Sequence, residues 1–99
     1  MSYLIYAIDF DDMHERREKI RSAHRDHLRS IGEKLLASGA LLDEDGSKVI
    51  GGISLIDTDD YAEAERFAFE DPYHKSGIRE NTKILKWRKR WWCGEFLED

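Results

Sequence analysis

Ser2 to Phe10 reads SYLIYAIDF, and the character of its two faces decides the fold. Alternation puts Tyr3, Ile5 and Ala7 on one side and Leu4, Tyr6, Ile8 and Phe10 on the other. A strand that is apolar on both sides has to be covered on both sides. What the remaining residues can lay over it fixes both the architecture and the expected assembly.

Working outward, DDMHE follows the strand and offers Asp11 and Asp12 as helix caps, with Glu15 three residues after Asp12 as in a capping box. Met13, Ile20, Leu28, Ile31 and Leu35 recur at helical spacing, which predicts a helix from about Met13 to about Ser38, ended by Gly39 in the left-handed position. Ala40 to Leu42 then starts a short strand and DEDG makes a turn. Lys48 to Ile56 is a third strand, and Gly51-Gly52 inside it point to a bulge or a close approach. Thr58, Asp59 and Asp60 are cap candidates for a second helix through Tyr61, Ala64, Phe67 and Ala68, stopped at Asp71-Pro72. NTKILKWRKRWW, Asn81 to Trp92, alternates as a last strand.

Strand, helix, strand, strand, helix, strand is the order of an α+β, ferredoxin-like βαββαβ fold, with an antiparallel sheet and both helices on one face. Two helices leave the other face of the first strand bare, so a second copy is expected to cover it, giving a homodimer.

The chain has 99 residues, 40% hydrophobic and 37% charged, a size and polarity suited to one domain, 1–99, with one core. A net charge of −5 opposes strong attraction to phosphate backbones or anionic membranes, so neither nucleic acid nor a membrane is an expected partner. KWRKRWW, Lys86 to Trp92, has the composition of a stacking platform for single strands. Strand alternation divides its charges between two faces, which favours tryptophans covering the sheet and dimer seam. Met1 is followed by no basic segment or cleavage pattern, and Cys93 is the only cysteine, so the expectation is a strand rather than a leader, and a reducing, cytoplasmic setting.

IRSAHRDHL, Ile20 to Leu28, carries two histidines three residues apart, His24 on or beside the apolar stripe. The spacing suits a metal clip, but no third ligand follows, so neither metal nor cofactor is expected. His14 and His74 add nothing by spacing. Asp71, in FEDPYHKSG, serves as a helix stop before Pro72, with Tyr73 packing back on the core, or as the carboxylate that orients an imidazole.

YLIYAIDF, RSAHRDHL, EDPYHKSGI and LKWRKRWWCG together resemble the YCII-related (YciI-like) family. The most specific parts are Arg21 with His24, and Asp71-Pro72-Tyr73 with Gly77. The resemblance implies a ferredoxin-like subunit of the dimeric α+β barrel superfamily and a histidine and an aspartate facing one cleft, here His24 and Asp71. One relative eliminates chloride from a chlorinated hydroxyquinol, and more distant members isomerise lactones or oxygenate aromatic rings, mostly without a bound metal. Family members often carry a Gly-Pro and a longer loop after the first helix, where this chain runs GALLDEDGSKVIGG.

The expected function is therefore lyase- or isomerase-type acid–base chemistry on a small cyclic or aromatic substrate. His24 and Asp71 would be catalytic, and Arg21, Tyr73 and Gly52 would bind the substrate. The alternative is a non-catalytic domain that holds a small metabolite in the same cleft.

Overall fold

The computed structural model describes residues 1–98. Its strands are β1 (Ser2–Asp9), β2 (Leu35–Leu42), β3 (Val49–Ile56) and β4 (Arg79–Trp87), and its helices are α1 (His14–Ser30), α2 (Tyr61–Glu70) and the single turn α3 (Pro72–Lys75). The four strands form one antiparallel sheet in the order β2-β3-β1-β4. This is the ferredoxin-like α+β arrangement expected from the order of elements.

β1 is central because it is the strand with two apolar faces. Tyr3, Ile5 and Ala7 are buried, whereas Leu4, Tyr6 and Ile8 on the other side are only half-buried. The core gathers Ile5, Ile56, Phe67 and Ala68, with Leu28, Ile31, Leu35 and Ile84 packed around them. α2 contributes Ala64, Phe67 and Ala68 and is capped by Asp60, which accepts the Ala62 N–H. α1 buries no residue completely. It touches the core chiefly through its last turn and leaves open space under its first three turns.

Four expectations need correction. The first helix ends at Ser30, not Ser38, because Gly32 at φ +65 breaks it and a short 3₁₀ turn, Gly32–Lys34, leads straight into β2. Leu35 satisfies helical spacing and the strand core alike, which is why periodicity carried the helix too far. Gly39 accordingly lies inside β2, paired with Ile53, and caps nothing. Asp12 does not cap α1: it sits at φ 59, Met13 takes the cap position, and no side chain closes the helix start. The last strand stops at Trp87, and Trp91–Trp92 (β5) instead pairs with Glu95–Phe96 (β6). Cys93 and Gly94, both at positive φ, make the two-residue turn of that hairpin. Trp87 and Trp92 are half-buried, with ring centroids 6.3 Å apart, while Trp91 is exposed.

The close approach expected at the paired glycines is real at Gly51. A Cβ there would lie 2.1 Å from the Ala7 carbonyl oxygen, so β1 and β3 could not keep their spacing. Gly51→Ala should therefore lower stability by about 1–3 kcal/mol, the usual cost of overpacking, in equilibrium denaturant unfolding. An unchanged midpoint would contradict this account of the sheet.

Candidate functional site

The space under α1 is a cleft of about 980 Å³, roofed by α1, floored by β2 and β3, and closed at one end by Tyr73 and Arg79. The floor is low because small residues, Ser38, Gly39, Ala40, Gly52 and Ser54, line it. The volume lies at the upper end of what small-molecule sites occupy.

Asp71 is built into the end of this cleft by local rules. Pro72 forces the preceding residue into extended backbone, and Asp71 has φ −60 and ψ 128. From there its side chain caps α3, Oδ1 accepting the Tyr73 N–H at 2.9 Å. The same Oδ1 accepts a hydrogen bond from His24 Nδ1 at 2.8 Å, and Oδ2 pairs with Arg79 Nη2 at 3.2 Å. Only 2% of the Asp71 side chain is exposed. Burial works to raise its pKa, but the His24 hydrogen bond, the Arg79 and His24 charges and the Tyr73 N–H outweigh it and hold the carboxyl below its ordinary value. An ionised Asp71 can only accept, so Nδ1 of His24 must carry a proton. In the neutral ring Nε2 is then left with its lone pair.

Tyr73 positions the imidazole from the side. Its ring stacks on His24 with centroids 3.9 Å apart and planes 14° apart. The Arg17 guanidinium lies 4.4 Å from the centroid of the same ring. Arg17 is itself held by Asp9 Oδ2 at 2.7 Å and donates to the Gly51 carbonyl at 3.3 Å. Arg17, Arg21, Arg25 and Arg79 all line the cleft, which makes it cationic within an acidic chain.

Of the residues singled out from sequence, His24, Asp71 and Tyr73 meet directly. Arg21 lines the cleft, paired with Glu18 on its own helix and partly exposed. Gly52 forms part of the floor, where an added Cβ would sit 3.2 Å from the Gly39 carbonyl. His27 is a packing residue: Nε2 donates to the Phe67 carbonyl at 2.8 Å and the ring stacks on Phe67. Sequence reading missed Asp9, Arg17 and Arg79. Two signals were available: an acid extending the buried run Tyr3, Ile5, Ala7, and an arginine two turns before His24. Arg79 gave none, because only β1–β4 pairing sets it opposite Asp9. Among the described residues, no cluster of three or more His, Cys, Asp and Glu side chains could hold a metal ion. No helix among them is long and apolar enough to cross a membrane.

The fold and site thus define a ferredoxin-like α+β domain with a histidine and an aspartate in contact at a helix-roofed cleft. The sequence model of the YCII-related domain matches residues 1–88, and the chain belongs to that family. Among solved structures it is similar to the 5-chloro-2-hydroxyhydroquinone dehydrochlorinase TftG from Burkholderia phenoliruptrix AC1100, in complex with 2,5-dihydroxybenzoquinone. The TM-score is 0.79 at 24% identity, over 89% of this chain and 94% of that one. No curated protein matches the chain.

Because folding lowers the Asp71 pKa, the carboxylate contributes stability in full above the unfolded value of about 3.9 and loses it as pH falls from there through the folded value. Asp71→Asn should therefore flatten the fall in denaturant stability below about pH 4. An acid limb as steep as that of the parent protein would contradict the assigned contacts.

Proposed function

We propose that the chain is a small-molecule enzyme of lyase or isomerase type, in which His24 moves a proton on a small cyclic or aromatic substrate. The observation that carries this reading is the 2.8 Å contact of His24 Nδ1 with Asp71, made by a ring that lines the cleft. Asp71 fixes the tautomer and stabilises the imidazolium that forms when Nε2 takes a proton. Arg79 keeps Asp71 ionised, and Tyr73 holds the plane of the imidazole. Arg21 and Arg25 draw in an anionic or phenolic ring, and Gly52 leaves room for it above the sheet. Where the substrate bears a leaving group beside the acidic proton, Nε2 accepts the proton as the group departs with its bonding electrons. The dehydrochlorinase activity of TftG, and its complex with a quinone, support this substrate class.

The same chain would work as a homodimer. Leu4, Leu55 and Leu85 stand in one row across β3, β1 and β4, on the face away from the core, and Leu85 is 49% exposed. Light scattering at micromolar concentration should give the mass of a dimer, and Leu85→Glu should shift it toward monomer. A monomer in the parent protein would contradict the assembly.

A second reading, a non-catalytic metabolite-binding domain, draws on one observation: Asp71 already has a structural role through Tyr73 N–H and Arg79. Melting with added 2,5-dihydroxybenzoquinone, and chloride release from 5-chloro-2-hydroxyhydroquinone, separate the two. The enzyme reading expects a raised Tm and turnover that falls about 100-fold or more in His24→Ala. Stabilisation without turnover, changed in His24→Ala only in affinity, would favour the binding domain.

A further inference from the structure

The floor of the cleft holds one pair of side-chain hydroxyls that the acid–base chemistry does not use. Ser38 Oγ on β2 and Ser54 Oγ on β3 are 2.9 Å apart, and both residues line the cleft. Ser54 is 8% exposed, whereas Ser38, on the edge strand, is exposed. Two hydroxyls joined by one hydrogen bond keep one O–H donor and several lone pairs unspent. Such a pair can meet a carbonyl, a phenolate or a phenol.

The register of α1 over the sheet puts this pair at the level of His24. Arg17 Nη2 on the Gly51 carbonyl pins the start of the helix to the start of β3. Leu28 and Ile31 pack against the cluster containing Ile56, so α1 and β3 run the same way. From Arg17 to His24 the helix rises about 10.5 Å over seven residues. From Gly51 to Ser54 the strand rises about 10 Å over three. The imidazole on the roof and the hydroxyl pair on the floor therefore lie across the cleft from one another.

We propose that Ser38 and Ser54 form a binding subsite for a second oxygen of the ring whose first oxygen or acidic proton meets His24. The substrate class is then a small ring carrying at least two oxygen substituents, hydroxyl or oxo, rather than one. The inference rests on the proposed small-ring reading of the cleft and adds the second point of recognition. The two serines bind and do not react, so they are specificity residues.

The test is an NMR titration of the full chain with phenol and with the three dihydroxybenzenes, catechol, resorcinol and hydroquinone. At least one dihydroxybenzene should bind about fivefold or more tighter than phenol, the value of one added neutral hydrogen bond. Ser38→Ala, at an exposed edge position, and Ser38→Ala/Ser54→Ala should both erase most of that advantage and leave phenol unchanged. His24→Ala should weaken phenol and dihydroxybenzene alike. An advantage retained in both serine variants, or an equal loss for phenol, overturns the subsite while leaving the cleft reading intact. No binding of any of the four rings to the parent protein overturns the cleft reading and the subsite together.

Discussion

The carboxylate of Asp71 is the joint on which the site depends. One oxygen accepts from the Tyr73 N–H and from His24 Nδ1, and the other pairs with Arg79, so a single side chain ties α3, α1 and β4 together. Its place follows from covalent constraint: proline at 72 holds residue 71 extended, and an aspartate there caps the turn that proline starts. A buried carboxylate with three partners costs little to keep ionised, and an ionised carboxylate leaves the facing imidazole one tautomer. The chemistry proposed for His24 is a consequence of that local geometry.

α1 plays an opposite part. It buries no residue completely, and its first turns stand away from the sheet over a floor of glycine, alanine and serine. Small residues beneath a helix forgo packing and leave volume. The charges lining that volume are mainly guanidinium groups, although the chain as a whole is acidic. Arg17 anchors the helix by bonding to Asp9 and Gly51 while its guanidinium lies against the Tyr73 ring. Packing lost over the cleft is offset by these polar ties at its end.

Much of this was legible in the sequence. The two apolar faces of β1 and the order of elements led to the antiparallel sheet, and the helix stop at Asp71-Pro72 was read correctly. The end of α1 was not, because Leu35 fits both a helical stripe and the core face of a strand, and the break comes seven residues before the expected stop at Gly39, at Gly32. Its φ of +65 decides the matter, and a single residue type does not announce its dihedral. The pairing of His24 with Asp71 rested on family resemblance, since the two are 47 positions apart in the chain. Arg79 was invisible because its partners come from tertiary placement alone.

The central claim is that an ionised Asp71 fixes His24 with its proton on Nδ1, leaving Nε2 open to the cleft. Nitrogen-15 NMR of the imidazole in its neutral form tests it directly. The account predicts that the neutral His24 ring carries its proton on Nδ1, with that tautomer preference lost in Asp71→Asn. A neutral His24 ring protonated on Nε2 in the parent protein would contradict it.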